Sequence, residues 1–308
     1  MLVFVGLFLI LGAGFDLFYA NTGGRFVPVG SLLAFGVGSG SALISYFNGD
    51  RAVLLATKAR TLTELAPTAT DDEKLKLRQF ETVVEEMSIA SGIPLPKIYV
   101  VPDPDPNAFA TGRDPQHASI AVTRGLLDAL DREELQAVVA HEMSHIRNLD
   151  VRLMTLVAAL VGAAGLLSEW ARRGMMFDRG GHRRGRNRDG KGGGALLLVF
   201  FVIWMIAIVI APMVVQLLAM MVSRRREFLA DASGAELTRN PLGLARALEK
   251  IESAVEPTRA INRGSAHLCI TDPLGRRMNM KSGSVSDLFA SHPPMSARIA
   301  ALKAMAFQ

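Results

Sequence analysis

The chain has 308 residues, enough for one large domain or two of ordinary size. Half of them are hydrophobic and 20% are charged, against about 25% in typical soluble domains, and mean hydropathy is +0.27; together these argue against a plain soluble protein. The net charge of +5 does not call for nucleic acid, because much of the excess lies in one segment, 171–194, with no base-recognition module around it.

Met1 to Ala20 is the first of four runs that approach or exceed the roughly 20 apolar residues of a helical membrane span. It lacks a basic n-region and a small-residue cleavage site and carries Asp16, so it reads as a retained span rather than a signal peptide. The second run, Val27 to Phe47, is rich in glycine and serine. Its Gly36 and Gly40 form a GxxxG pattern that lets helices pack closely in lipid. A polar stretch, 48–152, follows.

Within that stretch KIYVV (97–101) and ASIAVT (118–123) read as strands. The VPDPDPNAFATGRDPQH segment between them reads as a loop and possible sheet edge. Asp131 followed by Glu134 then marks a helix start, with the aspartate as N-cap and the glutamate reaching back. The helix carries HEMSH, 141–145. His141 and His145, four apart, project from one face and can share a metal ion. Glu142 lies about 100° around the helix, placed to act on a water rather than the metal. HExxH also turns up by chance on ordinary amphipathic helices, so a third ligand has to decide the matter.

Leu153 to Ala171 and Ala195 to Val222 form the third and fourth runs, joined by the Arg/Gly-rich loop 172–194. Such a loop suits a solvated segment touching anionic lipid headgroups. Two crossings return the chain to its starting side, so 48–152 and 223–308 share a compartment and can build one domain. The predicted organisation is therefore a transmembrane hairpin (1–47), a first polar segment (48–152), a second hairpin (153–222) and a second polar segment (223–308). Arg51, Lys58, Arg60, Arg147, Arg152 and Arg224 to Arg226 flank the spans on the polar side, which the positive-inside rule places in the cytoplasm. The basic loop opposes this. Either the first hairpin fixes topology before the loop emerges, or the third and fourth runs do not fully cross.

Past the fourth run, Glu227 and Asp231 again stand four apart on one helical face. If the hairpin brings its ends together, Glu227 emerges near His145. Two histidines and a glutamate with an open fourth position make a catalytic zinc arrangement, and Asp231 can accept the free N–H of a ligand histidine. Alternatively, Glu227 only partners nearby arginines. Cys269, the one cysteine, excludes an intramolecular disulfide, fits a reducing compartment and reads as a small buried side chain. His292 in SHPP is a candidate for stabilising an oxyanion, with Arg298 in support; the same residues can equally mark a helix N-terminus. His117, His182 and His267 have no second ligand at helical spacing.

These motifs, in this order, resemble the HtpX-type membrane zinc metalloproteases, relatives of the CAAX prenyl-protein endoproteases. The resemblance runs along essentially the whole chain, through the first apolar hairpin, NAFATG (107–112), HEMSH, the later spans, REFLAD (226–231) and SHPPMSARI (291–299). It implies an α-helical membrane protein with four transmembrane helices and a mainly helical, α+β zincin-like metallopeptidase domain. One Zn2+ per chain would be held by His141, His145 and Glu227, with Glu142 as the catalytic glutamate and Asp231 in support. The edge formed by Asn107, Ala108, Phe109, Ala110, Thr111 and Gly112 would bind extended substrate through its backbone, although Asn107 and Gly112 can also simply shape turns. The family further implies a multi-pass protein of the bacterial inner membrane, cleaving damaged or misassembled membrane proteins in quality control and stress response. The basic insert departs from the family pattern and puts loop topology, not chemistry, in question.

Other functions fit less well. An intramembrane protease buries HExxH within a span, whereas Arg147, Asn148, Asp150 and Arg152 separate this one from the third run. A CAAX endoprotease chamber needs more spans. A scaffold braced by zinc closes all four metal positions with protein ligands, and a transporter places its ionisable motifs within the spans.

Overall fold

The computed structural model describes residues 5, 6, 9, 12, 13, 16, 28–155, 225–254, 268–271 and 293–307. The chain forms two compact units, Met1–Phe47 with Leu160–Gln216 and Asn48–Ala159 with Leu217–Gln308.

The second apolar run is a helix, α1, Val29–Ala56. It continues past the expected end at Phe47 because the polar Asn48, Asp50 and Arg51 keep helical backbone and Val53 and Leu54 then bury themselves again. Its 28 residues exceed the roughly 20 that a span requires, and Leu32, Leu33, Phe35 and Ile44 are exposed. Among the described residues it is the one helix long and apolar enough to cross a membrane. The first, third and fourth expected spans and the basic loop lie outside the described residues, apart from scattered positions in 5–16 and 153–155.

Within the first unit, Asp16 caps the start of α1. Its carboxylate accepts from Gly30 N at 2.7 Å, Ser31 N at 2.8 Å and Ser31 Oγ at 2.6 Å, satisfying donors that a helix start leaves open. Close backbone approach occurs beside it at Gly12, where a Cβ would meet Gly30 O at 2.5 Å and Ala34 Cβ at 2.7 Å. No described atom comes within 4 Å of a Cβ position at Gly36 or Gly40; the spans expected to pack there lie almost wholly outside the described residues.

The second unit is built on a four-stranded sheet of β1 (Arg60–Thr61), β2 (Lys97–Val101), β3 (Ala108–Thr111) and β4 (Ser119–Thr123), in the order β1-β2-β4-β3. The predicted strands are β2 and β4, paired in parallel with Lys97 opposite Ser119 and Val101 opposite Thr123. β3 lies inside the predicted loop, antiparallel to β4, and forms the sheet edge. The central strands are apolar on both faces, as a covered sheet requires. Val100, Ile120 and Val122 join the main core, while Val101, Phe109 and Ala121 pack with Val53, Leu54, Leu268 and Cys269.

Helices cover the main-core face. They are α2 (Leu62–Leu65), α3 (Asp71–Ser91), α4 (Arg124–Ala129), α5 (Arg132–Arg147), α6 (150–155), α7 (225–238), α8 (Pro241–Ser253) and α9 (Met295–Met305). The expected cap of α5 is formed: Glu134 N donates to Asp131 at 3.0 Å and Asp131 N to Glu134 at 3.0 Å. α5 packs between α3 and α8 and against β3, with Val138, Val139, Met143 and Ile146 fully buried. Apolar neighbours on several sides therefore hold the motif helix in place.

Candidate metal centre and active site

His141 and His145 stand one turn apart on α5, their ring centroids 4.8 Å apart and their planes perpendicular. Glu227 meets them from α7. One of its oxygens lies 3.7 Å from His141 Nε2 and the other 3.5 Å from His145 Nε2. The ligand-capable atoms of the three lie within 4.8 Å of one another, the one such group among the described residues. α7 can approach this closely because of Gly234. A Cβ there would come within 3.0 Å of His141 N and 3.1 Å of its Cα.

The outward ring nitrogens face carboxylates, His145 Nδ1 in a hydrogen bond and His141 Nδ1 in an ion-pair contact. His141 Nδ1 faces Asp231 at 3.0 Å and His145 Nδ1 faces Asp150 at 3.1 Å. Both Nε2 atoms thereby turn toward Glu227. His141 Nε2 and both Glu142 oxygens are buried without a hydrogen-bond partner, which native proteins seldom tolerate. Two imidazole nitrogens and a carboxylate oxygen, beside unsatisfied polar atoms and with their second nitrogens engaged, fit a zinc ion with an open position.

The surrounding charges are matched to this centre. Burial pushes the Glu142 carboxyl up to about 7, and Glu227 adds to the rise; His145, Arg298 and the Ala110 N–H oppose it. Burial alone would lower His145, but Asp150, Glu227 and Glu142 outweigh it and raise the imidazole to about 8. For His141 burial prevails over Asp231 and the shift is downward. Asp231 resists burial because Arg298 and His141 hold it down to about 2.

Arg298 has partners that the sequence did not announce. Its guanidinium is fully buried and binds Asp231 through Nε at 2.8 Å and Nη2 at 2.7 Å, with Nη1 on Ile270 O at 2.8 Å and 3.3 Å from Glu227. It braces the carboxylates on α7. His292, which it was expected to support, lies outside the described residues. Asp150 and Arg226 were not singled out as site residues by sequence reasoning. Asp150 accepts from Arg226 Nη1 at 2.5 Å, a contact between positions 76 apart that no local periodicity announces.

Along the NAFATG segment the backbone is partly occupied. Asn107 is buried; its Oδ1 accepts from Ala108 N at 3.0 Å and its Nδ2 donates to Thr271 O at 3.2 Å. Ile270 N donates to Ala108 O at 2.9 Å, and Cys269 bridges Phe109 in antiparallel fashion. Thr155 Oγ1 takes the Gly112 N–H at 3.0 Å. Ala110 stands between these attachments, with its N–H near Glu142. Cys269 is buried, as expected. His117 pairs with Asp114 at the surface.

A model of peptidase family M48 matches residues 74–306. A Protease HtpX homolog of Caldanaerobacter subterraneus subsp. tengcongensis is 46% identical over 244 residues, covering 79% of this chain and 77% of that protein. One from Tropheryma whipplei (strain Twist) is 40% identical over 270 residues, covering 88% and 84%. The crystal structure of S. mikatae Ste24p aligns with 98% of this chain and 63% of that one, at a TM-score of 0.50 and 18% identity; this likeness concerns the fold alone.

Proposed function

The chain belongs to peptidase family M48, and from that footing we propose a zinc endopeptidase centred on His141, His145, Glu227 and Glu142, working at the membrane. Family membership makes the chain a membrane metalloprotease; the residue roles are our reading. His141, His145 and Glu227 would hold the ion. Zinc supplies Lewis acidity toward a water and a peptide carbonyl.

The chain's own groups carry the rest. Glu142 receives a proton at its unpartnered carboxylate and returns it to the departing amine. Asp231 and Asp150 keep the two imidazoles oriented, and the buried walls exclude bulk water. Extended substrate adds to the sheet edge at Ala110, between the positions that Ile270 and Thr155 occupy. Backbone pairing of this kind reads little of the side chains, consistent with damaged or misassembled membrane proteins as substrates. We read the active site as cytoplasmic, on a chain of four spans in the bacterial inner membrane.

Glu142 carries this reading. A scaffold that only needed zinc for stability would not keep a buried carboxylate without a partner beside the metal ligands. The test uses the full chain in detergent and an unfolded model protein as substrate. Chelation should abolish cleavage, about one equivalent of zinc per chain should restore it, and Glu227→Ala should bind zinc at least about tenfold more weakly. Cleavage that continues after the metal is stripped would overturn the proposal.

A further inference from the structure

Each histidine of the site is backed by a carboxylate and each carboxylate by an arginine. For His141 the set is Asp231 and Arg298, both from elements beyond the fourth apolar run. For His145 it is Asp150, 3.1 Å from Nδ1, and Arg226, which reaches the other oxygen of Asp150 at 2.5 Å. Asp150 is buried.

The backbone makes a costly turn to put Asp150 there. After α5, Asn148 N bonds back to Ser144 O at 2.9 Å and Leu149 N to Ile146 O at 3.1 Å. Leu149 then adopts a φ of 61°, a left-handed conformation that usually falls to glycine at a helix end. A leucine held in that region implies that its neighbours determine the geometry. The neighbour that gains is Asp150, turned back beneath His145.

We propose that Asp150 is a positioning residue for the metal. It fixes the His145 ring so that Nε2 faces Glu227, and Arg226 in turn fixes Asp150. Arg226 precedes Glu227 in sequence, so one ion pair ties the end of α5 to the first described turn of α7 and keeps ligands from both helices in register. Asp150 and Arg226 flank the residues that the sequence reads as the second hairpin, so the same pair joins the two chain segments of the peptidase unit on either side of it. The inference rests on the zinc reading above. The two clasps differ in one respect: Arg298 is fully buried, whereas the Arg226 side chain is 37% exposed, so only the second is open to screening by salt.

The test follows zinc loss from the full-length holoprotein in detergent to excess chelator. The thermal stability of the metal-free forms is measured in parallel. Asp150→Asn should lose zinc roughly tenfold faster than wild type, while its metal-free form melts close to the metal-free wild type. Arg226→Gln should lose zinc faster by a smaller factor, and Arg226→Lys should restore most of the retention. The double variant Asp150→Asn/Arg226→Gln should be no faster than Asp150→Asn alone, because the arginine acts through the aspartate. Wild-type release rates in Asp150→Asn would overturn the proposal, as would additive effects in the double variant. Should Asp150→Asn not fold, Arg226→Gln decides by itself, a wild-type rate counting against the clasp. Wild-type protein that holds no zinc at all would instead remove the zinc reading on which the proposal stands.

Discussion

Arg298 grips Asp231 through two parallel hydrogen bonds, at 2.8 and 2.7 Å, in a place where the arginine has no exposed surface. Breaking one side of such a pair leaves a buried charge without its partner, which costs about 3–5 kcal/mol. Arg298→Ala should therefore destabilise the protein by about that amount in denaturant unfolding and lower its zinc content. Arg298→Lys should rescue little, since a single ammonium cannot span both Asp231 oxygens and Ile270 O together.

Glu142 should weigh on stability as well as catalysis. Its folded pKa of about 7 lies above the ordinary 4.5, so the native metal-free protein keeps a proton that the unfolded chain has lost. Stability then falls as pH rises from 4.5 through 7 and stays lower above. Metal-free Glu142→Gln should be more stable than the metal-free wild type at pH 8, by up to about 3 kcal/mol, and the gap should close toward pH 5. Melting curves of the stripped proteins across this range provide the check.

Asp231 has the opposite sign. Its folded pKa is about 2 against an ordinary 3.8. Its contribution is complete above the unfolded value and is lost as pH falls through about 2. Acid unfolding of metal-free Asp231→Asn should be shallower than that of wild type between about pH 4 and pH 2.

The Gly234 contact predicts a loss that involves no polar group. Gly234→Ala places a methyl 3.0 Å from His141 N, where backbone must yield. The predicted outcome is weaker zinc retention with helix content unchanged, read by metal titration and circular dichroism.

Asn107 predicts a local opening. It bonds Thr271 across 164 positions, and Asn107→Ala leaves Thr271 O without that donor, a loss of about 1–3 kcal/mol. Cys269 provides the readout. The wild-type thiol is 1% exposed and should resist thiol reagents, whereas the variant should label faster.

Much of the candidate site was legible because its signals are local. The Asp131–Glu134 cap, the four-residue spacing of His141 and His145 and the repeat of that spacing at Glu227 and Asp231 are all properties of single helices, and the structure brings these side chains together. The β2 and β4 strands were legible from their β-branched runs. What escaped was fixed by tertiary contact. Asp150 reaches His145 only because Leu149 turns left-handed, and Arg298 meets Asp231 across 67 positions. The helix over 71–91 did carry a local signal, a Thr70–Glu73 capping box, that could have been read.

The most direct measurement compares wild type with Glu142→Ala, each purified in detergent without chelator, for bound zinc and for cleavage of an unfolded protein. Because Glu142 is assigned to proton transfer and not to metal binding, both should hold about one zinc per chain and only wild type should cleave. Cleavage by Glu142→Ala would contradict that assignment, and a loss of zinc in the variant would show that the carboxylate belongs to the metal's ligands instead.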